Sequence, residues 1–258
     1  MGGATRSHCC VLALFLSVPS LSAQDATWQL GASLSFLTGD YGEESDTDLL
    51  QIPFVLKRYF SRGDLTLTVP YVDISTDGDT AVTAGEVVAI TGAETDSGAG
   101  LGDIILKGRY YAIDQRGYLP FIDVAAKIKL PTADKEKNLG TEETDFSLIT
   151  EFSRSISDDF FTLAEIGYTW MGDPPEGDLK NRWIYSIGAG YVYTPRWTLS
   201  GYIDGRTALV DGNDDPLSLL FSTEFKYRPE LRFDTMLEIG LNDGSPDYGI
   251  TLGVRYRL

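Results

Sequence analysis

The chain has 258 residues, of which 43% are hydrophobic and 23% are charged, and its formal net charge at pH 7 is −17. This acidic balance argues against a nucleic-acid partner, because phosphate backbones attract basic surfaces. His8, Cys9 and Cys10 are the only histidine and cysteines, so chemistry that needs an imidazole or a thiol depends on this first segment being retained.

The N-terminus has the three regions of a secretory signal. Arg6 is followed by an apolar run from Cys9 to Val18 and then by small residues that end at Ala23. This order is typical of a signal peptide, and the run is too short for a membrane-spanning helix, which needs about 20 apolar residues. We expect cleavage after Ala23, which leaves residues 24–258 as one domain without Cys or His. For that domain the sequence predicts no catalytic residues, metal ligands or cofactor, and hence no enzyme.

Alternation with a period of two residues dominates the rest of the chain. In the first segment, residues 27–37, the apolar side chains at one parity are Trp28, Leu30, Ala32, Leu34 and Phe36. A β-strand places the two parities on opposite faces. Eleven further segments repeat the pattern in chain order, at residues 50–60, 65–71, 104–112, 122–130, 146–152, 160–170, 183–193, 197–203, 217–227, 231–241 and 248–258. Most are near the 9 to 11 residues, roughly, that a tilted strand needs to cross a membrane.

The connections between these segments alternate in length. Short ones fall near residues 61–64, 115–117, 157–159, 194–196 and 228–230, and longer or more acidic ones at 39–48, 75–101, 132–143, 171–181, 210–216 and 243–246. Outer-membrane barrels have short periplasmic turns and longer extracellular loops. The sequence therefore predicts an all-β fold, a transmembrane antiparallel up-and-down β-barrel of about twelve strands in the bacterial outer membrane.

Two further observations support the parity that is assigned to the lipid face. Aromatic girdles are expected at both membrane interfaces, and the four tryptophans lie at predicted strand ends with outward parity: Trp28, Trp170, Trp183 and Trp197. Outward positions are also nearly free of charge, and the exceptions lie at strand ends: Arg58, Asp73 and Arg154. A soluble β-sandwich would explain the alternation but not the placement of the tryptophans.

The long connection at residues 75–101 contains an unusually apolar stretch from Ala81 to Ala93. It is consistent with either a protruding hairpin or an inward fold that narrows the mouth of the barrel. The following GAGLG segment at residues 98–102 has the glycine density of a phosphate-binding loop, but a strand and not a helix is predicted to follow it, which disfavours nucleotide binding.

Charged residues at inward parity are the candidates for a solute path. The fourth and fifth predicted strands contribute a basic set, and the next two contribute an acidic set: Lys107, Arg109, Lys127 and Lys129, then Asp145, Glu151 and Glu165. Across a water-filled constriction these two sets would produce a transverse field. The alternative is a lumen filled by ion pairs, because twelve-stranded barrels lie between small filled barrels and open porins.

The C-terminal strand carries the spacing of the signal that outer-membrane barrels present to the barrel assembly machinery, at Thr251, Gly253, Tyr256 and Leu258. Leu258 departs from the more common terminal phenylalanine. Outer-membrane lipids and lipopolysaccharide are further expected partners, the latter through divalent bridging to the acidic outer loops.

Three short motifs carry a family resemblance: GLGDIILKGRY at residues 100–110, KLPTAD at residues 129–134, and Leu139, Gly140 and Thr141 ahead of Asp145. With them the chain resembles the outer-membrane transporter family named for the MetA pathway of phenol degradation. Ala133 departs from the family pattern, in which glycine is expected. The resemblance implies a barrel that passes small, often aromatic, compounds.

Two functions follow as hypotheses. The first is an outer-membrane channel or transporter for the passive passage of small solutes, with aromatic or hydrophobic compounds among them. The alternative is a non-conducting structural or surface-interaction barrel whose acidic loops face the outside.

Overall fold

The computed structural model describes residues 27–76, 80–83, 86–89, 97–134, 137, 139–172 and 179–258. The predicted signal peptide, residues 1–23, lies outside the described residues. Among the residues described, no helix is long and apolar enough to cross a membrane.

The described chain is built from β-strands: β1 (Trp28–Gly39), β2 (Thr47–Phe60), β3 (Gly63–Thr76), β4 (Thr80–Thr83), β5 (Glu86–Ala89), β6 (Gly98–Leu101), β7 (Ile104–Ile113), β8 (Phe121–Leu130), β9 (Asp145–Ser155), β10 (Phe160–Trp170), β11 (Arg182–Thr194), β12 (Trp197–Arg206), β13 (Leu217–Lys226), β14 (Leu231–Gly240) and β15 (Tyr248–Arg257).

Twelve of these strands, β1–β3 and β7–β15, form a closed antiparallel barrel. Each pairs with the next one along the chain, and β15 pairs back onto β1, with Leu34 opposite Leu252 and Phe36 opposite Ile250. Closure leaves no unpaired edge, as a lipid environment requires. The predicted twelve-stranded barrel is confirmed, and its long connections all lie at one end.

The outer face of the barrel is the apolar parity that the sequence predicts. Exposed and buried residues alternate along the strands, and the exposed large side chains are almost all hydrophobic. Aromatic contacts collect at both rims: Tyr168 packs edge-on against Trp170 and Trp183 at one end, and Trp197 stacks near Phe225 at the other. These are the aromatic girdles of a membrane barrel.

A charge placed in the middle of this face should destabilise the barrel. Ile187 lies near the middle of β11 and is 63% exposed, and Tyr193 lies on the same face near the end of the strand. We expect Ile187→Arg to lower the free energy of unfolding by about 2–4 kcal/mol and Tyr193→Arg by only about 0–1 kcal/mol. Urea titrations of both variants in lipid vesicles measure the difference, and equal losses would contradict the assigned membrane depth.

The wall element that pairs with β3, formed by β6 and β7, contains a β-bulge that the sequence did not reveal. On β3, Thr68 lies opposite Ile105 of β7, whereas Tyr71 lies opposite Leu101 of β6. Three steps along β3 therefore match four steps along its partner, and the extra residue marks the bulge. Strands β6 and β7 are one wall element interrupted at this point. Asp103 follows the bulge at the inward parity of Ile105 and Lys107, and its side chain is buried.

The long connection between β3 and β6 folds into the barrel. Val82 of β4 and Val87 of β5 are buried against the inner faces of β2 and β3, whereas Glu86 contacts Arg182 of β11 and Arg206 of β12. Since β2–β3 and β11–β12 lie on opposite sides of a twelve-stranded ring, the β4–β5 hairpin crosses the mouth. Of the two expectations for this loop, the inward fold is confirmed for the described residues 80–83 and 86–89.

Candidate functional site in the barrel lumen

The extracellular mouth contains an ion-pair group that we call the Glu86 bridge, formed by Glu86, Arg182 and Arg206. Glu86 Oε2 lies 2.7 Å from Arg182 Nη1, and Glu86 Oε1 lies 2.8 Å from Arg206 Nη1. Burial raises the pKa of the Glu86 carboxyl, but the two guanidinium groups outweigh it and hold this pKa below its ordinary value. Asn213 adds a hydrogen bond from its side-chain amide to the Ala89 carbonyl, at 3.0 Å. Charge-assisted hydrogen bonds thus hold the hairpin to the far wall.

Next to the hairpin lies the Lys129 cluster, formed by Lys129, Asp103, Asp145 and Thr141. The ammonium group of Lys129 lies 2.9 Å from Asp103 Oδ2 and 3.2 Å from Asp145 Oδ2, and it donates to Thr141 Oγ1 at 2.9 Å. Two ion pairs and one hydrogen bond thus hold this ammonium group. The cluster therefore fixes β8 to β9 and to the bulge between β6 and β7.

Asp103 also organises the loop that follows β8. Its Oδ1 accepts hydrogen bonds from the backbone N–H groups of Thr132 and Ala133, each at 3.0 Å. Gly140 lies against the same carboxylate, and a Cβ atom added there would come within 2.6 Å of the Ala133 Cβ. Residues from all three short motifs of the sequence thus meet at one buried site.

The middle of the lumen contains a chain of ion pairs. Glu151 of β9 accepts from Lys107 at 2.8 Å and contacts Arg109 Nε at 3.2 Å. Arg109 in turn lies 3.8 Å from Asp64, which lies 3.3 Å from Lys57. This chain of charges spans five strands on one side of the barrel, from β2 to β9.

A separate buried group lies toward the periplasmic end. Glu224 of β13 bridges Arg232 at 2.6 Å and Arg255 at 2.5 Å. Arg255 also donates from Nε to Asp234 at 2.8 Å. The group ties β15, the strand that closes the barrel, to β13 and β14.

An apolar cluster faces the lumen between these charged groups, formed by Phe161, Leu163, Tyr202 and Leu220. The rings of Phe161 and Tyr202 lie against Gly190 and Gly188 of β11, where an added Cβ would come within 2.2 and 2.3 Å of ring carbons. Glycine at these two positions keeps both rings close to the wall.

The seven candidate residues predicted from the sequence all lie on the inner face: Lys107, Arg109, Lys127, Lys129, Asp145, Glu151 and Glu165. The basic set lies on β7 and β8 and the acidic set on the neighbouring strands β9 and β10, and ion pairs join the two sets. Lys107 and Arg109 pair with Glu151, and Lys129 pairs with Asp145. The reason is geometric: β7, β8 and β9 are neighbours, so the long basic side chains reach carboxylates one or two strands away. A role in lining a solute path stays a prediction.

The sequence analysis missed the residues of the mouth and of the periplasmic group. Arg182, Glu224 and Arg255 have the same inward parity as the candidates, and this signal was available in the sequence. Glu86 is the only charged residue in the apolar stretch from Ala81 to Ala93. That isolated charge could have indicated a buried partner, although not which one.

The architecture defines the class of protein. A closed barrel of twelve antiparallel strands, with an apolar outer face, aromatic rims and a polar interior, is an outer-membrane β-barrel. The model of the family described as "Putative MetA-pathway of phenol degradation" matches residues 56–258, so the chain belongs to this family. The family resemblance predicted from the short motifs is thereby confirmed.

Solved structures support the same fold. The chain is similar to a KdgM porin in complex with disordered oligogalacturonate, with a TM-score of 0.55, 8% identity and coverage of 89% of this chain and 99% of that one. The NanC porin gives a TM-score of 0.55 at 9% identity, with coverage of 89% of this chain and 100% of that one. The CymD monoaromatic hydrocarbon channel gives a TM-score of 0.52 at 10% identity, with coverage of 91% of this chain and 89% of that one. At such low identity the likeness establishes the fold alone. A comparison with curated proteins gives no significant match.

Proposed function

We propose that this barrel is a passive outer-membrane channel for small solutes, including aromatic or otherwise hydrophobic compounds. The observation that carries the proposal is the β4–β5 hairpin at the mouth. The barrel is wide enough there to admit a two-stranded ribbon, so wall side chains alone do not fill it. A blocking element that belongs to a loop can leave the mouth while the wall keeps its hydrogen bonds.

Two further observations favour small, partly apolar solutes. The lumen combines charged groups with the apolar cluster around Phe161 and Tyr202, and binding sites for small molecules are mostly apolar with a few placed polar groups. The family description refers to phenol degradation, and one similar structure is a monoaromatic hydrocarbon channel.

A non-conducting barrel is the second candidate, and the buried ion pairs of the lumen favour it. Planar-bilayer recordings of the refolded protein separate the two functions directly. A channel gives discrete conductance steps that scale with the amount of folded protein, whereas a filled barrel gives none. A flat trace from well-folded protein at several voltages would remove the channel from consideration.

Ion selectivity tests whether the lumen charges line the path. Lys127 lies on the inner face of β8, within electrostatic range of Glu86. We expect Lys127→Glu to shift the reversal potential in a salt gradient toward cation preference, and the shift should shrink as salt rises, since screening acts over roughly 10 Å at 0.1 M.

Arg228→Glu serves as the control, because this exposed residue lies in a short turn outside the lumen. The same charge change there should leave the reversal potential nearly unchanged. An equal shift in both variants would indicate a surface effect, and no shift in a conducting Lys127→Glu variant would place the path elsewhere.

The acidic outer loops and the last strand support the proposed partners. Partial burial and the nearby carboxylates of Asp40, Asp46 and Asp243 raise the pKa of the Asp247 carboxyl, so negative charge is concentrated at this end of the barrel. Divalent cations would relieve that repulsion and bridge the loops to lipopolysaccharide. Tyr256 is exposed on β15, where the assembly machinery would recognise the terminal strand.

A further inference from the structure

The mouth of the barrel contains a cavity of about 30 Å³ beside the Glu86 bridge. Its polar lining includes the three side chains of the bridge and the hydroxyl-bearing Tyr41, and most of the remainder is apolar, with Val87 and Leu209 among it. This volume holds a water molecule but no organic solute. Residues 86–89 of the hairpin form part of the lining, so departure of the hairpin would enlarge this space.

The side chains at this cavity have more hydrogen-bond donors than Glu86 accepts from. Arg182 and Arg206 each give one Nη1 group to the carboxylate, and the Nε atoms of both are buried without a hydrogen-bond partner among the described residues. Within the ranges that the structure describes, the Tyr41 hydroxyl is likewise buried and has no hydrogen-bond partner. Unsatisfied buried donors are costly, and the guanidinium fork binds carboxylates in a two-pronged geometry. The site thus has donors for more acceptor atoms than Glu86 provides.

A second place in the barrel has the same chemistry and provides a comparison. Glu224 also bridges two arginines, Arg232 and Arg255, but it belongs to wall strand β13, and Arg255 is held by Asp234 as well. Glu86 instead belongs to a hairpin of four residues per strand, and a two-stranded ribbon is marginally stable by itself. Of these two carboxylates, Glu86 is the one that can leave its arginines without disruption of the wall.

We propose that Arg182 and Arg206 form a binding site for the carboxylate of a small organic acid with an apolar body, and that Glu86 occupies this site until such a solute displaces it. The inference rests on the proposed channel function, for which it names a solute class. Exchange of one carboxylate for another leaves the charge of the site unchanged. Two further carboxylates, Asp204 and Glu238, lie within electrostatic range of Arg206, so the site favours a single negative charge on the solute.

Benzoate and its uncharged analogue benzyl alcohol are suitable probes, titrated calorimetrically into the refolded full barrel in detergent. Glu86→Gln keeps the shape of the side chain but removes the competing charge. We expect this variant to bind benzoate at least about tenfold more tightly than the parent protein. The reason is that glutamine competes for the arginines without the charge-assisted hydrogen bonds of Glu86, and a tenfold change corresponds to about 1.4 kcal/mol. Benzyl alcohol binding should be the same in both. Arg206→Gln should abolish benzoate binding.

Glu224→Gln is the matched control, because it too removes a carboxylate between two buried arginines. The proposal is overturned if Glu86→Gln gives no gain, or if Glu224→Gln gives the same gain. Should Glu86→Gln fail to form a barrel on a heat-modifiability gel, Glu86→Asp replaces it, since the shorter side chain weakens the bridge and should also tighten benzoate binding. Calorimetry measures binding independently of conduction. A barrel that binds benzoate but carries no current would therefore refute the proposed channel function and still support the proposed binding site.

Discussion

Replacing Lys129 by methionine should lower the free energy of unfolding by about 3–5 kcal/mol. Lys129 is 1% exposed, and its ammonium group forms ion pairs with the carboxylates of both Asp103 and Asp145. Methionine fills a similar volume but leaves two buried carboxylates without their cation. The cost of a buried unpaired charge exceeds the net worth of the pair itself, which is why the removal of one partner has such a large effect.

Urea titrations of the refolded variant in lipid vesicles measure this loss. Lys137→Met is a suitable control, because Lys137 is half-exposed and its pair with Asp134 spans 3.3 Å at the surface, so its loss should cost less than about 1 kcal/mol. Adding Asp103→Asn and Asp145→Asn to the Lys129 variant should restore much of the lost stability. A loss in Lys129→Met no larger than that in the control would show that the cluster does not stabilise the barrel.

The Lys129 cluster shows how far the sequence could lead. Parity placed Lys129 and Asp145 on the inner face, and the resemblance drew attention to Asp103, Thr141 and their neighbours. What the sequence could not provide was the register between strands. Asp103 has the inward parity of Ile105 and Lys107, but its contact with Lys129 depends on the register between β7 and β8. The bulge between β6 and β7 is likewise a property of two paired strands, which the pattern of one strand does not contain.

The β4–β5 hairpin shows a second limit of prediction from the sequence. Period-two patterning predicts which residues of a wall strand face inward, because both faces have a constant environment along the strand. The described part of the hairpin has no such constant environment, since Val82 and Val87 pack on β2 and β3 whereas Glu86 reaches β11 and β12. Such contacts depend on the closed ring, which brings together Glu86 and Arg182, 96 positions apart in the sequence. The outer face could therefore be predicted almost completely, and the contents of the lumen only by parity.

Replacement of residues 80–89 by glycine and serine at constant length should raise the single-channel conductance severalfold. The change removes Val82 and Val87 from the inner faces of β2 and β3 and frees Arg182 and Arg206, while every wall strand is kept. A flexible Gly/Ser segment has no apolar surface to hold it inside the barrel, so the mouth is expected to open. Planar-bilayer recordings of the parent and the variant, at the same salt and voltage, give the comparison.

Replacement of residues 43–45 in the loop between β1 and β2 is the control, and it should change the conductance much less, because these residues belong to the mouth and make none of the contacts described above that hold the hairpin. If the hairpin variant folds yet conducts no better than the parent protein, the narrowest point lies deeper, at the level where Lys107 and Arg109 meet Glu151. In that case the constriction is made by the wall itself, and paired neutralisation of Lys107 and Glu151 becomes the change that should raise the conductance.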